Sequence, residues 1–558
     1  DFFQREAAMV TDGPLLIIAG PGTGKTRTFT HRIAHLVLER DVAPSQILAV
    51  TFTNRAAGEM RERLEQLLPT AAEQLTIKTF HGFGYSLLQE FAEPAGLPAG
   101  VRIATEPERL GLIEEVLDVP ASNARSMANK LSRFRRCGEP ELDVEYHQYA
   151  DALRKRGWVD FDDLVELPLR LLEKDETIRQ TCRRRYRWVG IDEYQDIDEW
   201  QYGLVRALVP PDGNLCAIGD PDQAIYGFRG GDVAYFQRFT EDFVNARTVH
   251  LENNYRSSGP IVDAAQQAVA PSSLVKNRRL RSLAEGDQRI VIHEAASDRA
   301  EAEFVVQSIE RCIGGSSLFA FDSGRVDAGE ADENCSFSDV AILYRTDAQA
   351  AVLSEALAQS GLPHRIHSHT SFLDQPGVQE LLDALLAEDS NDSVSTRLNA
   401  MKSSEEDPPW RAGLERIAAE CENNAEQFAS RLALESDIDF WDPRADRIAL
   451  MTLHASKGLE FPVVFVTGCE EGVLPLQWGG GLEPEALAEE RRLFFVGMTR
   501  AQRRLYLTRA KSRLWRNTVR EQSASSFLTA IQRDLIDIQR ATARKPVAKK
   551  DEQLSLFE

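Results

Sequence analysis

The sequence lacks any hydrophobic run that approaches the ~20 apolar residues needed to cross a bilayer. No signal peptide opens it, although the first residue is Asp1 rather than Met, so we expect the native start to lie further upstream. Cysteine is scarce, with 7 residues among 558, and no two of them have the C-x-x-C spacing of a zinc or iron–sulfur site. These absences predict a cytoplasmic protein of a reducing compartment, with no membrane partner.

Basic residues are also in short supply. The chain has 65 Lys and Arg residues against 87 Asp and Glu residues, which gives a formal net charge of −22. This balance argues at first against a nucleic-acid partner, but binding depends on the local potential rather than on the global sum. Three basic runs occur, at Lys130–Arg136, Arg183–Arg187 and Lys276–Arg281. Each taken alone is more often a solvated helix face than a binding patch, so charge does not decide the question.

At 558 residues the chain is too long for one hydrophobic core, which predicts three or four domains. Short apolar runs that alternate with helical patterns are typical of a parallel doubly wound sheet. We predict such strands at Leu15–Ala19, Ile47–Phe52, Leu75–Thr79, Trp188–Ile191 and Leu215–Ile218. A helical, strand-poor segment from about Tyr85 to Tyr186 interrupts this first α/β pattern. A second α/β pattern follows, with predicted strands at Arg289–His293, Val340–Tyr344 and Val463–Val466.

A Gly-rich segment, Ala19-Gly20-Pro21-Gly22-Thr23-Gly24-Lys25-Thr26, lies between the first predicted strand and a helix predicted from about Thr26 to Arg40. A phosphate-binding loop requires this placement, because backbone N–H groups can approach the phosphates and the helix N-terminus adds its positive dipole end. We expect Lys25 to reach the β- and γ-phosphates and the Thr26 hydroxyl to ligate Mg²⁺. Ala19 replaces the first Gly of the strict pattern, which is a mild steric change.

Two acidic residues, Asp192 and Glu193, directly follow the apolar strand at 188–191. A lone Asp-Glu pair is more often a solvated turn than a site, but its position downstream of a phosphate loop favours a second carboxylate site. We expect Asp192 to hold Mg²⁺ and Glu193 to act as the general base on the attacking water. The two motifs together predict ATP and Mg²⁺ as cofactors, and they do not say what hydrolysis drives.

Further short motifs follow one another along nearly the whole chain. They are Gln4-Arg5-Glu6-Ala7, Thr51-Phe52-Thr53-Asn54, Thr79-Phe80-His81, Asp192-Glu193-Tyr194-Gln195-Asp196, Gly219-Asp220-Pro221-Asp222-Gln223 with Ala224-Ile225-Tyr226-Gly227-Phe228-Arg229-Gly230, Asn254-Tyr255-Arg256-Ser257, Thr452-Leu453-His454-Ala455-Ser456-Lys457-Gly458-Leu459-Glu460-Phe461, and Val496-Gly497-Met498-Thr499-Arg500-Ala501. This ordered series resembles that of the UvrD/Rep/PcrA-like superfamily 1A DNA helicases.

The resemblance implies roles around the nucleotide. Gln4 is expected to contact the adenine, Arg27 and Tyr255 to sandwich the base, and Glu460 to contact the ribose. Gln223 is expected to sense the γ-phosphate. Arg256 and Arg500 resemble arginine fingers, planar cations supplied from the second α/β domain to the charge of the transition state.

The resemblance also implies a grip on single-stranded DNA, in which aromatic faces stack on unpaired bases without reading their sequence. The matching positions are Phe52, Asn54, His81, Tyr226, Phe228 and Arg229. Phe228 stands where relatives often carry Trp, and a smaller ring weakens stacking without abolishing it. Outside this motif context, core packing is the favoured interpretation of any single aromatic residue.

The fold implied is α/β, with two RecA-like parallel-sheet motor domains of the P-loop NTPase type and helical insertions. The expected boundaries are 1–84 and 186–256 for domain 1A, 85–185 for the helical insert 1B, 257–385 and 445–530 for domain 2A, 386–444 for a reduced 2B-like insert, and 531–558 for a disordered tail. The 2B-like insert is shortened, since the family normally carries a large helical subdomain there.

The tail ends in Gln553-Leu554-Ser555-Leu556-Phe557, which resembles the peptide by which bacterial proteins dock onto the replicative sliding clamp. Gln553, Leu554, Leu556 and Phe557 are the expected contacts, and an ordinary frayed tail is the alternative. His364, His367 and His369 carry no Cys or acidic ligand at suitable spacing, so we do not expect a metal site there.

The sequence thus predicts an ATP-dependent DNA helicase, in repair or replication, that moves 3′ to 5′ by resemblance. Its expected partners are single-stranded DNA and junctions of single- and double-stranded DNA, and its expected location is the cytoplasm, associated with the nucleoid. Two alternatives remain open. One is a translocase that displaces proteins with little unwinding, and the other is an ATP-gated DNA-binding module.

Overall fold

The computed structural model describes residues 1–137, 142–314, 335–367, 378, 393–400, 411–421, 424–435, 445–477, 481–515 and 518–540. The chain forms two compact units. The first contains Asp1–Arg256, Ser272–Ala284 and His367–Ala445, and the second contains Ser257–Pro271, Glu285–Ile366 and Asp446–Glu558. Within the described ranges no helix is long and apolar enough to cross a membrane.

The first unit contains ten described strands. In chain order they are β1 Leu15–Ala19, β2 Ile47–Thr51, β3 Thr76–Thr79, β4 Arg102–Ile103, β5 Trp158–Val159, β6 Trp188–Ile191, β7 Asn214–Gly219, β8 Arg247–Leu251, β9 Asn253–Asn254 and β10 Arg281–Ser282. Six form one parallel sheet in the order β3-β2-β6-β7-β1-β8. The five strands predicted for this domain are confirmed, with ends within one or two residues of those observed.

Both faces of this sheet are covered, which explains the continuous apolar runs of its strands. Along β1, Leu16 belongs to one hydrophobic cluster while Leu15 and Ile17 belong to another. Successive side chains of a strand point to opposite faces, so the two clusters are the cores on either side. The strand ends at Ala19 and there delivers the chain to the Gly-rich loop.

Among the described residues of 1–256, twelve α-helices accompany these strands. They are α1 Phe2–Met9, α2 Lys25–Glu39, α3 Asn54–Leu67, α4 Phe80–Glu90, α5 Glu106–Leu117, α6 Ala121–Cys137, α7 Asp143–Lys155, α8 Asp163–Lys174, α9 Glu176–Arg185, α10 Glu199–Leu208, α11 Ala234–Gln237 and α12 Phe239–Asp242. The predicted helical segment is confirmed as α5 to α9, to which the short parallel pair β4 and β5 is added.

The basic run in α6 is only partly a solvated face. Arg135 has a side chain that is 2% exposed, and it donates to Asp160 at 2.9 Å and to Glu166 at 2.7 Å. The desolvation of a buried guanidinium is offset here by several carboxylates, so this residue holds α6 against the chain that follows β5. The charge pattern alone does not distinguish Arg135 from its exposed neighbours.

The second unit is built on an eight-stranded sheet in the order β13-β14-β12-β15-β16-β11-β18, with β17 paired to β16. The strands are β11 Ile290–Ser297, β12 Val340–Tyr344, β13 His364–His367, β14 Ile448–Thr452, β15 Phe461–Val466, β16 Ala501–Trp515, β17 Thr518–Glu521 and β18 Ile536–Arg540. The registers of β11, β12, β14, β15, β16 and β18 are parallel, and the β16–β17 pair is antiparallel. The helices are α13 Gly259–Val269, α14 Asp298–Ile313, α15 Asp347–Gln359 and, after the insert, α19 Pro484–Met498.

The predicted tail boundary at 531 is wrong. Ile536–Arg540 form β18, in which Ile536 and Ile538 pair in parallel register with Ile290 and Ile292 of β11. The parallel pairing with β11 adds this segment to the edge of the sheet. Residues 541–558, with the expected clamp contacts Gln553, Leu554, Leu556 and Phe557, lie outside the described residues.

The reduced insert contains α16 Val394–Ala400, α17 Arg411–Glu420 and α18 Ala425–Ala433. These helices group with the first unit, and Leu398, Leu414 and Phe428 share a hydrophobic cluster with Leu88 of α4. The α/β class with parallel sheets and helical insertions is confirmed, and the detailed domain boundaries stay predictions.

Candidate functional site

The Gly-rich loop joins β1 to α2, as its sequence predicts. Gly22 and Gly24 have φ values of +69° and +80°, a left-handed region that favours glycine. A Cβ at Gly22 would lie 2.6 Å from Asn254 Nδ2, and one at Gly24 would lie 2.6 Å from Gln4 Nε2. Neighbouring side chains therefore close around the loop, and any larger residue at these two positions displaces them.

The first residue of α2, Lys25, forms an ion pair with Glu193, with 2.9 Å between Nζ and Oε1. Burial alone would lower the pKa of Lys25, but the carboxylates of Glu193, Asp192 and Asp220 raise it above its ordinary value. Lys25 is therefore a protonated ammonium at neutral pH. Loop, lysine and both predicted carboxylates meet at the carboxyl ends of β1 and β6, where α/β sheets bind their ligands.

Glu193 has a backbone φ of +51°, which is uncommon for a residue with a side chain. Its side chain accepts a hydrogen bond from Gln195 Nε2 at 2.5 Å. Gln195 Oε1 in turn accepts from the backbone N–H of Asp220 at 3.0 Å, and Asp220 Oδ2 accepts from Gln223 Nε2 at 2.8 Å. A continuous set of hydrogen bonds thus links Glu193, the predicted general base, to Gln223, the predicted γ-phosphate sensor.

Gln195 and Asp220 fall within the predicted motifs, but the sequence assigns them no role. Both are buried, at 1% and 0% exposed, and polar residues buried this deeply are held by hydrogen bonds. The sequence shows only that Gln195 is near Glu193 along the chain and that Asp220 is near Gln223. Flanking residues are equally near, so the sequence does not single out these two.

The residues predicted to hold the adenine, Gln4, Arg27 and Tyr255, lie in α1, at the start of α2 and directly after β9. Gln4 Nε2 donates to the carbonyl of Thr23 at 2.9 Å, which places this side chain on the phosphate loop. Tyr255 is 44% exposed, and Arg27 is exposed on the first turn of α2. The backbone N–H of Tyr255 donates to the carbonyl of Gly22 at 2.8 Å, so the tyrosine is also fixed to the loop.

The two predicted arginine fingers belong to different units. Arg256 groups with the first unit, and a Cβ at Gly22 would lie 2.6 Å from the Cβ of Arg256. This contradicts the expectation that both fingers come from the second domain, although the expected bounds of domain 1A, 186–256, include this residue. The hydrogen bond from Tyr255 to the loop keeps this stretch with the first sheet. Arg500 belongs to the second unit, where it is 1% exposed and donates to the carbonyls of Val496 and Leu459 at 2.9 Å each.

Glu460, the expected ribose contact, also belongs to the second unit. It is exposed, and its Oε1 accepts from Gln502 Nε2 at 3.2 Å.

Magnesium is implied by the phosphate loop and the carboxylates. Mg²⁺ prefers oxygen ligands and keeps several of its own waters, so a hydroxyl, one or two carboxylates and substrate phosphates suffice. Thr26 and Asp192 supply such oxygens beside Lys25, and Asp192 is 6% exposed. Among the described residues no cluster of three His, Cys, Asp or Glu side chains could hold a metal by itself, and this includes His364 and His367. His369 lies outside the described residues.

Four of the predicted DNA contacts form one aromatic patch. The rings of Phe52 and Tyr226 are stacked, with centroids 5.0 Å apart and planes inclined by 15°. Phe228 is 65% exposed, and its ring centroid lies 6.1 Å from that of Tyr226. The guanidinium of Arg229 lies over both rings, 5.4 Å from Tyr226 and 5.5 Å from Phe228. An exposed ring beside a cation is suited to an unpaired base and its phosphate.

His81 lies at the start of α4 against Phe161, with ring centroids 5.7 Å apart. Burial, together with the nearby Arg136 cation, lowers the pKa of His81 to about 4, although Asp162 acts in the opposite direction. The imidazole is therefore neutral at pH 7. Phe161 is 42% exposed, and the sequence does not single it out, because its Asp-Phe-Asp-Asp context resembles a polar turn.

The side chain of Asn54, the sixth predicted DNA contact, is hydrogen-bonded to the insert. Its Nδ2 donates to the carbonyl of Leu434, just after α18, at 2.7 Å. Within the first unit, the insert therefore reaches a side chain that the resemblance assigns to DNA.

Known proteins match this chain over nearly its whole length. Residues 1–244 match the UvrD/REP helicase N-terminal domain, and residues 249–417 and 410–512 match the UvrD-like helicase C-terminal domain. The ATP-dependent DNA helicase PcrA of Bacillus subtilis is 31% identical over 654 residues, covering 96% of this chain and 86% of that protein. PcrA of Staphylococcus epidermidis is 30% identical over 663 residues, covering 98% of this chain and 88% of that protein. With its phosphate loop, its paired carboxylates and both family domains in place, the chain belongs to the UvrD/REP helicase family.

Proposed function

We propose that the protein is an ATP-dependent DNA helicase that translocates on single-stranded DNA from 3′ to 5′ and unwinds duplexes at junctions during repair or replication. One observation carries this proposal. The segment 220–229 begins with Asp220 and Gln223 at the nucleotide site and ends with Phe228 and Arg229 in the aromatic patch. Only two residues separate the predicted phosphate sensor, Gln223, from Tyr226, so a shift at one end is transmitted to the other.

In the proposed reaction, the loop backbone and Lys25 bind the triphosphate. The ammonium of Lys25 leaves its ion pair with Glu193 for the more highly charged phosphates, which frees the Glu193 carboxylate to take a proton from the attacking water. Mg²⁺, held by Thr26 and Asp192, would neutralise phosphate charge when bound. Arg256 and Arg500 are the proposed arginine fingers.

The remaining predicted contacts keep the roles that the resemblance implies. Gln4, Arg27 and Tyr255 hold the adenine, and Glu460 the ribose. Phe52, Asn54, His81, Tyr226, Phe228 and Arg229 bind DNA, and Phe161 joins them because it is exposed beside His81. A base stacked on this patch competes with the Leu434 carbonyl for Asn54. The clamp peptide at 553–557 and the nucleoid association stay predictions.

The test is strand separation and DNA-stimulated ATP hydrolysis on partial duplexes with 3′ or 5′ single-stranded tails. The wild-type protein should separate 3′-tailed duplexes in preference to 5′-tailed ones. Lys25→Ala should lose nucleotide binding, whereas Glu193→Gln should bind ATP and hydrolyse it at least about 100-fold more slowly. Equal hydrolysis by Glu193→Gln and wild type would contradict the assigned base.

The same substrates distinguish the two alternatives. A protein-displacing translocase removes streptavidin from a biotinylated strand while it leaves duplexes intact. An ATP-gated binder does neither, and its hydrolysis is not needed for any movement along DNA. The presence of Lys25, Glu193 and both arginines favours a motor over such a binder, because a pure binder does not require a complete hydrolytic set.

A further inference from the structure

A segment that follows the last motif of the first domain returns to the nucleotide site. Residues 272–284 group with the first unit, although 257–271 before them and 285–366 after them group with the second. Within this segment β10 pairs in parallel with β9, and the N–H of Leu283 donates to the carbonyl of Asn254 at 2.8 Å. The segment is thereby fixed beside the chain that carries Tyr255.

The segment places one arginine between two buried carboxylates. Arg278 has a side chain that is 9% exposed, and Asp220 and Asp222 are both fully buried. Arg278 Nε donates to Asp222 Oδ2 at 2.8 Å, and Nη1 donates to Asp220 Oδ2 at 3.2 Å while Nη2 binds the other oxygen of Asp220. Two acids this close repel one another when ionised, and a planar guanidinium is the group that can bridge both.

One of these two carboxylates, Asp220, also binds Gln223, the predicted γ-phosphate sensor. Asp220 Oδ2 accepts from Arg278 and also from Gln223 Nε2 at 2.8 Å. The other carboxylate is held from the segment as well, since Asp222 accepts from Ser273 Oγ and from the N–H of Leu274 at 2.6 Å each. Gln223 is therefore hydrogen-bonded to a carboxylate whose charge is balanced by Arg278.

Arg278 also lies against the phosphate loop. A Cβ at Gly20 would lie 3.1 Å from Arg278 Nη1 and 2.7 Å from Leu280 Cδ2. The segment thus packs on the first glycine of the loop while it holds the sensor, and it touches both parts of the site without contributing to the motif series.

We propose that Arg278 is a positioning residue for ATP hydrolysis, which acts through Asp220 to orient the amide of Gln223 toward the γ-phosphate. The inference rests on the proposed function and deepens it. Arg278 serves the step that follows nucleotide binding, so its loss lowers kcat for DNA-stimulated hydrolysis and leaves the affinity for ADP, which has no γ-phosphate, nearly unchanged.

The experiment compares Arg278→Ala and Arg278→Lys with Arg279→Ala, a matched control that removes the neighbouring exposed guanidinium. DNA-stimulated kcat and KM for ATP and the affinity for fluorescent ADP are measured in the full chain, with the thermal unfolding midpoint as a check of folding. Arg278→Ala should lower kcat about tenfold or more with ADP affinity within about threefold of wild type. Arg278→Lys should lie between, because a point charge cannot bridge two carboxylates. Arg279→Ala should match wild type.

A double-mutant comparison separates positioning from general support of the fold. In a Gln223→Ala background, Arg278→Ala should cause less than about twofold further loss of kcat, because residues that act as one unit are not additive. Full additivity, or equal losses in kcat and ADP affinity, would overturn the inference. If Arg278→Ala does not fold, the kcat of Arg278→Lys decides: a wild-type value overturns the inference. A wild-type protein without DNA-stimulated hydrolysis would instead refute the proposed function.

Discussion

Individual side chains in this site are held by backbone geometry as much as by their partners. Glu193 adopts a φ of +51° directly after β6, and such a conformation persists only where surrounding contacts over-determine it. Its ion pair with Lys25 and its hydrogen bond from Gln195 are two such contacts. The sequence could indicate that Glu193 follows a strand, but its left-handed backbone depends on neighbours that are distant along the chain.

Phe228 offers the clearest test of the aromatic patch, because its ring is exposed and its removal leaves the core intact. Phe228→Ala should weaken binding of a poly(dT) oligonucleotide by about 1–3 kcal/mol, the usual contribution of one stacked base. Phe228→Trp should bind more tightly than wild type, since the larger face stacks better. Fluorescence anisotropy measures both. Phe2→Ala, which removes another exposed ring outside the patch, is the control, and equal affinities for Phe228→Ala and Phe2→Ala would exclude the patch.

The His81 imidazole should make stability depend on pH. Its pKa is about 4 in the folded chain against 6.5 as a free side chain, so between these values the unfolded state binds more protons. Lowering the pH from 7 to 5 should therefore destabilise the fold, by at most about 2 kcal/mol from this residue. Urea unfolding should show a smaller fall for His81→Asn than for wild type or for His31→Asn, an exposed histidine. Identical pH profiles for His81→Asn and wild type would contradict the assignment.

At the scale of helices and strands, the sequence predicted most of the short apolar strands and few of the others, although β14, Ile448–Thr452, is short, apolar and buried and was not predicted. β12, Val340–Tyr344, was placed at its observed ends because every residue in it is apolar and buried. β16, Ala501–Trp515, was missed because four arginines, a glutamine and a lysine interrupt its pattern. One of these, Arg513, is buried against Glu301 and Glu470, a partnership that only the folded sheet brings together.

The insert was recognised as short, but its association with the first unit could not be inferred from composition. Its apolar residues are distributed over three short helices, and the hydrophobic cluster that they join also contains Leu88, about 300 residues earlier in the chain. Sequence patterns indicate which residues are buried, whereas the identity of the opposing surface requires the fold.

Phe428 tests whether α18 is part of this core. It is 0% exposed, and Phe428→Ala should cost about 3–5 kcal/mol, through reduced burial and the cavity left behind. Gln427→Ala removes an exposed neighbour on the same helix and should change stability by no more than about 0.5 kcal/mol. Urea unfolding of both variants makes the comparison. A Phe428→Ala variant as stable as Gln427→Ala would show that α18 does not share the core in solution.

The whole molecule has an excess of acidic residues, although its substrate, DNA, is itself a polyanion. With a net charge of −22, we expect DNA affinity to depend on stacking and on local cations such as Arg229, a proposed DNA contact. Stacking is not screened by salt, so affinity should fall with ionic strength less steeply than for a basic DNA-binding protein.

Titrating single-stranded DNA binding against salt tests this dependence. Arg229→Ala should reduce the slope of log affinity against log salt by about 0.7, the value expected when one phosphate is no longer neutralised by a cation of the protein. Phe228→Ala should lower affinity without changing the slope. If Arg229→Ala left the slope unaltered, Arg229 would not bind a phosphate.

The short segment from Gln223 to Tyr226 limits how far these two residues can move apart. A fully extended chain spans at most ~3.6 Å per residue, so three residues reach no further than about 11 Å. Tyr226 is itself packed face to face on Phe52, which leaves little room to absorb a displacement by bending. We therefore expect this connection to transmit a displacement of Gln223 to Tyr226 with little loss. Insertion of one glycine between them should leave ATP hydrolysis intact while translocation along single-stranded DNA stops.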